Sequence, residues 1–216
     1  MATTRARSGG PANAAGEAEF GSAAQRDRHR RILDATLALA SKGGYEAVQM
    51  RTVAERADVA LGTLYRYFPS KIHLLVSALA RELEGYLERL ERRPVPGETP
   101  YERVWYVLSR ATRTMQREPM LTEAMTRAFM FADPSAAAEV NTVARLMERM
   151  FTRAMSQQAA SQQAAGHEGE PSADDTAIAR VIGDVWLSNL VAWVTRRASA
   201  DDVSNHLELA ARLLLR

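Results

Sequence analysis

The chain contains no cysteine. A disulfide framework, a thiolate nucleophile and a Cys-ligated metal are therefore excluded. It has no run approaching the roughly 18 to 20 uniformly apolar residues of a membrane span. The first 25 residues, MATTRARSGGPANAAGEAEFGSAAQ, are polar and small and lack the charged-then-apolar order of a secretory signal. No stretch alternates apolar and polar long enough to make a strand, and no 20–50-residue repeat is present. Lysine is nearly absent: Lys42 and Lys71 are the only two among 28 Lys and Arg. These absences leave a cytoplasmic protein that neither crosses a membrane nor carries disulfides.

What is present is ordinary globular material. Of the 216 residues, 46% are hydrophobic and 25% charged, enough for a core and too much for global disorder. The net charge of +2 hides a division. Residues 25–73 hold nine cations against five anions, whereas residues 94–216 hold 13 against 15. A basic front on a mildly acidic body points to an anionic partner, nucleic acid first, with chance asymmetry as the competing reading.

The periodicity is helical throughout, and the fold class expected is all-α. Residues 1–24 are too small and polar to offset their chain entropy, and a flexible tail is expected there. Ile32, Thr36, Leu39 and Ala40 recur at helical spacing and predict a first helix over about 25–42, stopped by Gly43-Gly44. Val53, Ala54 and Ala57 mark a short second helix. A third runs from about Ala60 to Tyr67 and ends before Pro69. Ser70 is an N-cap for a long fourth helix carrying Leu75, Leu79, Leu83, Tyr86 and Leu90. The break at Arg92-Arg93-Pro94-Val95-Pro96-Gly97 divides head from body. The domains expected are a tail (1–24), a helix-turn-helix head (25–73), a connecting helix (74–93) and an effector-binding and dimerisation body (94–216). In the body, Thr99-Pro100 starts one helix, and boundaries follow near Glu118-Pro119 and Asp133-Pro134. Residues 157–175 read as a loose low-complexity insertion. Asp174 or Asp175, and then Asp201 or Asp202, can cap the last two helices.

Two short helices joined by a tight turn, with small Ala54 at their crossing, describe a helix-turn-helix, whose second helix enters the major groove. Gly62 would keep that helix end slim, and Thr63 offers a hydroxyl and a methyl. Tyr65, Tyr67 and Lys71 are within reach of phosphates, and Arg51 and Arg66 add cations on the same side. The string Gly62-Thr63-Leu64-Tyr65-Arg66-Tyr67-Phe68-Pro69-Ser70-Lys71, with Gly44-Tyr45 and Val53-Ala54-Glu55-Arg56-Ala57, closely resembles the DNA-binding domain of the TetR family of transcriptional repressors. The match runs from about Ile32 to Leu75. The chain departs from the family pattern at three places. Asp58 stands where the turn often has Gly and still tolerates a left-handed backbone. Ala60-Leu61 replaces the usual Ser-Lys, removing a cap and a cation and leaving Leu61 for an apolar contact such as a thymine methyl. Gln49 replaces a capping Thr. The segment Val59–Phe68 also resembles actinobacterial repressors of sterol breakdown.

That resemblance implies a homodimer on a palindromic double-stranded DNA operator, released by a bulky apolar effector such as a sterol-derived acyl-CoA thioester. The body is rich in Met and aromatics, which serve equally for core packing and for lining an adaptable pocket. The lining expected is Trp105, Leu108, Met115, Met125, Phe129, Met130, Met147, Phe151, Trp186 and Asn189. Asn189 either orients a ligand carbonyl or is a satisfied core or interface amide. Leu190, Trp193, Leu207 and Leu214 are the dimer anchors the resemblance implies. The run Arg26, Arg28, His29, Arg30 and Arg31 is either a phosphate contact or a solvated face. The four histidines (His29, His73, His167, His206) show no metal-ligand spacing, and no cofactor motif, phosphate loop or nucleophile motif is present. No metal and no cofactor are expected. A helical enzyme or carrier for an apolar acyl compound is the alternative, but it needs a buried catalytic pair that the sequence does not contain.

Overall fold

The computed structural model describes residues 12–156 and 172–215. They form nine α-helices and one 3-10 turn, with no strand among the described residues. The helices are α1 (Ala12–Ala47), α2 (Met50–Arg56), α3 (Leu61–Tyr67), α4 (Lys71–Glu91), α5 (Pro100–Arg117), α6 (Pro119–Met130), α7 (Ala137–Ser156), α8 (Ala173–Val194) and α9 (Ala200–Leu214). The all-α expectation holds. Its boundaries need two corrections. Helix α1 begins at Ala12, so part of the segment expected as a tail is helical; an Ala-rich stretch extends a helix already nucleated downstream at little cost. Gly43-Gly44 breaks the long helix as expected, both residues having non-helical backbone angles, and a short helical piece follows to Ala47. Ser172 and Ser199, rather than the aspartates, cap α8 and α9, while Asp175 and Asp202 close the two capping boxes from the third helical position. Residues 1–11 and 157–171 lie outside the described residues, and so does the greater part of the expected insertion.

The head is α1, α2 and α3 around Ile32, Leu33, Val48, Val53, Leu64 and Phe68, all buried. Helix α4 leaves it and runs into the body, where it packs on α6 and α7. In the body α5 and α8 both lie against α7, and α9 packs on α5 and α8. Buried Trp186 on α8 meets Phe151 on α7 edge-on at 6.0 Å and donates Nε1–H to Thr112 Oγ1 on α5 at 2.9 Å. One side chain thus ties three helices. Arg103, also buried, acts as a polar bolt. Its guanidinium donates to the carbonyls of Ala154 and Met155 at the end of α7 and to those of Gly97 and Glu98 in the loop before α5.

Head and body meet where α1 crosses α6. Gly44 has φ +64° and ψ −158°, a backbone region that essentially only glycine enters. A Cβ there would also lie 3.1 Å from both Glu123 Oε2 and Met120 Cε on α6. We therefore expect Gly44→Ala to cost about 1–3 kcal/mol. In a chain of this length that lowers the melting temperature by roughly 2–10 °C in a thermal scan.

Candidate nucleic-acid interface and effector cavity

The turn between α2 and α3 is built from the residues the sequence singled out. Asp58 takes φ 52°, in the left-handed region it tolerates. Val59 N–H donates to Ala54 O at 3.0 Å, and Ala54 is buried at the crossing. Gln49 and Ala60 precede α2 and α3 without a side-chain capping bond, as their residue types imply. Arg31 from α1 supplies what the caps do not: its Nη1 donates to Ala57 O at 2.7 Å and stands 3.7 Å from Asp58 Oδ2. Within the basic run, Arg31 therefore braces the turn. Arg30 is paired with Asp27 at 2.6 Å, and Arg28 is half-buried.

The outward face of α3 carries Gly62, Tyr65 and Arg66, all exposed, with Tyr65 at 47%. Thr63 is half-buried, and Arg51 is exposed on the first turn of α2. A Cβ at Gly62 would meet nothing within 4 Å, so nothing inside the chain requires glycine there. Leu61 and Tyr67 are less available. Leu61 is half-buried against the head core. Tyr67 lies with Phe68 against His29, with ring centroids 6.2 Å apart for the His29–Tyr67 pair. Lys71 points elsewhere than a phosphate contact needs: its Nζ sits 3.8 Å over the Tyr45 ring, where burial lowers its pKa.

Tyr45 is the centre of the head–body junction. Lys71 of α4 and the Arg127 guanidinium of α6, 4.3 Å from the ring centroid, both lie against it. Arg127 also pairs with Glu46 at 3.0 Å, and Tyr45 N–H donates to Glu123 Oε2 at 3.2 Å. The sequence placed Lys71 at the DNA but gave no sign of Tyr45 or Arg127, because their meeting depends on the kink at Gly43-Gly44. A second tie runs from buried His73 on α4, whose ring stands 2.9 Å from Ser70 Oγ and 3.1 Å from Ser135 O.

A cavity of about 200 Å³ lies in the body, walled by α4, α5, α6, α7 and α8. Met115, Met125, Phe129, Met147 and Trp186 line it. The other five residues expected there do not. Leu108 and Phe151 are buried in the core and do not line the void; Phe151 packs on Trp186. Met130 ends α6 and is 48% exposed. Trp105 lines a separate shallow groove between α5 and α9. Asn189 donates Nδ2–H to Val185 O at 2.8 Å, one turn back on its own helix. Leu79, Leu83 and Tyr86 of α4, which in the sequence form only a helix stripe, also line the cavity. Helix α6 has two working faces: Thr122, Met125 and Phe129 line the cavity, and Met120, Glu123 and Arg127 face α1.

Two of the four expected dimer anchors are consumed within the chain. Leu190 borders the cavity and Leu207 packs in the core, at 4% and 1% exposure. Trp193 and Leu214 are half-buried. The apolar groups that do reach the surface of α8 and α9 are Val181, Leu209 and Leu213. Helix α8 is long and apolar enough to cross a membrane by length and composition, yet it packs on α7 and α9. Its most apolar window is only 28% buried in one chain. Among the described residues no cluster of three metal-ligating side chains occurs.

Because a Cβ at Gly62 would meet nothing inside the chain, Gly62→Leu separates fold from recognition. We expect an unchanged or slightly raised melting temperature, since Gly is the poorest ordinary helix former. Affinity for duplex DNA should fall at least tenfold in a fluorescence-anisotropy titration at fixed salt.

The comparisons with known proteins agree with this geometry. Residues 32–78 match the model of the tetR family of bacterial regulatory proteins, and residues 97–214 match a tetracyclin repressor-like C-terminal domain. The HTH-type transcriptional repressor KstR of Mycolicibacterium smegmatis is 63% identical over 199 residues, which is 92% of each chain. A TetR transcriptional regulator from Rhodococcus sp. RHA1 superposes with a TM-score of 0.73 at 34% identity, covering 88% of this chain and 96% of that one. FadR of Thermus thermophilus, a TetR-family repressor solved with lauroyl-CoA, shares the fold with a TM-score of 0.64 at 22% identity, over 87% and 93% of the two chains. The chain belongs to the TetR family of DNA-binding transcriptional repressors, which are not enzymes, and within it to the KstR type.

Proposed function

We propose that this repressor binds a palindromic operator as a homodimer and leaves it when a bulky apolar effector enters the α4–α8 cavity. The effector we favour is a sterol-derived acyl-CoA thioester, and the genes controlled would serve lipid or steroid catabolism in the cytoplasm. The observation that carries this reading is the double duty of α6, one face on the cavity and the other on the head. The KstR relationship and the lauroyl-CoA held by the fold relative support the choice of effector.

The physical argument is one of populations. A ligand shifts an equilibrium only by its differential affinity for the two states. The cavity's 200 Å³ is below the roughly 300–1,000 Å³ of sites for drug-sized ligands, so a bulky effector fits only if a wall moves. Helix α6 is the short wall, 12 residues long. Its displacement carries Glu123 and Arg127 away from Tyr45 and Glu46 and lets the head turn. In a dimer that turn changes the spacing of the two α3 helices, which must match half-sites about one helical turn apart or a multiple of it. The surface left on α8 and α9 is what a second copy would cover.

Three measurements test this. Selection from a random duplex pool should return an inverted repeat, and a pool that shows no enrichment would overturn the reading. Leu209→Asp with Leu213→Asp should move the protein from dimer to monomer in sedimentation, with operator affinity lost in parallel. Arg127→Ala should leave operator binding within a few-fold of the parent while cutting the effector's power to release it. A coupling of about 1–3 kcal/mol corresponds to roughly 5–150-fold, and most of it should vanish in a competition titration with cholanoyl-CoA.

A further inference from the structure

One buried titratable side chain has no part in the DNA-facing surface or in the cavity. His73, on the first turn of α4, is only 6% exposed and lies outside the residues that line the cavity. Its ring is bonded on both sides. Nε2 stands 3.1 Å from Ser135 O and Nδ1 stands 2.9 Å from Ser70 Oγ. A carbonyl only accepts, so Nε2 carries the proton that faces Ser135. In the neutral ring Nδ1 is then the acceptor, and the Ser70 hydroxyl donates to it. Ser70 Oγ in turn accepts the His73 backbone N–H at 3.4 Å, as the N-cap of α4.

The two partners belong to the two working parts of the molecule. Ser70 follows the recognition helix directly, through Phe68 and Pro69. Phe68 is buried in the head core and donates its N–H to Leu64 O at the end of α3. Ser135 stands in the 3-10 turn (Pro134–Ala136) that connects α6 to α7. Both of those helices line the cavity, Phe129 just before the turn and Val143 just after it. The turn is itself held firmly. Asp133 Oδ1 accepts the Ser135 N–H at 2.8 Å, the Ala136 N–H reaches Asp133 O at 3.0 Å, and Ala136 is fully buried. The imidazole therefore joins a fixed turn between two cavity walls to the chain leaving the recognition helix. This link shares no residue with the Tyr45 junction. It is also buried, whereas the Arg127–Glu46 pair of that junction is exposed on both sides.

We propose that His73 is a positioning residue of the switch, which couples the α6–α7 turn to the end of the recognition helix. A wall that moves at the cavity carries the Ser135 carbonyl with it. The ring then either follows, drawing Ser70 and the end of α3 along, or leaves a buried donor without an acceptor. Coupling of this kind is reciprocal, so an operator that fixes α3 also steadies the turn. Only an imidazole reaches both partners from one rigid ring. A glutamine amide at this position can donate to Ser135 O, an asparagine amide can meet Ser70, and a phenylalanine fills the space and meets neither.

The relay deepens the release mechanism proposed above and rests on that reading, yet its first test needs only DNA. Hydrogen–deuterium exchange of the full-length protein, with and without the selected operator duplex, reads the amides of residues 131–137. In the parent, operator should slow their exchange about fivefold or more. His73→Phe and His73→Asn should lose that response, and His73→Gln should keep most of it. A merely structural role would speed exchange equally with and without operator and leave the response itself unchanged. Asp133→Ala, on the exposed side of the turn, frees Ser135 without touching the buried ring and should also lose the response, so the question stays open to test if a His73 variant fails to fold. The proposal is overturned if operator protects α3 but not residues 131–137 in the parent, if it protects neither, or if His73→Phe responds like the parent. Cholanoyl-CoA supplies the second test: it should release the parent and His73→Gln from operator, and His73→Phe only at about fivefold higher concentration or more. If the thioester fails to release even the parent, the choice of effector falls, while the exchange data still decide the role of His73.

Discussion

The contact on which the rest depends is the aromatic ring of Tyr45 with a cation from each side of the domain boundary. Lys71 opens α4 and Arg127 belongs to α6, so the ring joins the head to both helices that carry it into the body. Cation–π contacts of this kind contribute about 0.5–2 kcal/mol each, more as water is excluded. The pair of carboxylates around them, Glu46 and Glu123, keeps two like charges from repelling across one ring. Such a junction orients a head without locking it. A larger hydrophobic seam would lock the head, and a purely exposed ion pair would contribute too little to orient it.

Gly44 is the geometric condition for that contact. Its backbone conformation turns the last residues of α1 so that Tyr45 and Glu46 face α6, and the absence of a side chain lets Met120 and Glu123 approach. The family-like pair Gly44-Tyr45 is therefore one device: the glycine aims the tyrosine. Helix α6 answers with residues at three- and four-residue spacing on two faces, so a shift at the cavity and a shift at the junction are the same rigid motion. No chain of intermediate contacts is needed over a 12-residue helix.

The sequence made the fold class, the helix-turn-helix and most helix boundaries legible because each rests on local chemistry. Pro69, Ser70, Thr99 and Asp58 act within a few residues of themselves, and a periodic apolar stripe needs no distant information. The cavity was half legible. Met115, Met125, Phe129, Met147 and Trp186 reach it, whereas Leu108 and Phe151 on the same helices are plain core. Periodicity finds the apolar face of a helix but not whether a void or another helix lies opposite it. The same limit misplaced Leu190 and Leu207: a stripe wide enough to serve both the core and a partner gives no mark of which residues serve which. Tyr45 with Arg127, and His73 with Ser135, were illegible because each joins positions brought together only by the tertiary fold.

Charge shows the same lesson from the other side. The basic head on a mildly acidic body points to an anionic partner for the head's cations. The structure distributes them by partner instead. Arg31, in the head, braces the turn; Arg103, in the body, is buried against four carbonyls; Lys71, expected at a phosphate, lies on a ring. An anion can use only those cations that no internal group has claimed, since releasing a paired guanidinium costs what the pair contributes. On the two helices of the helix-turn-helix the exposed cations are Arg51, Arg56 and Arg66.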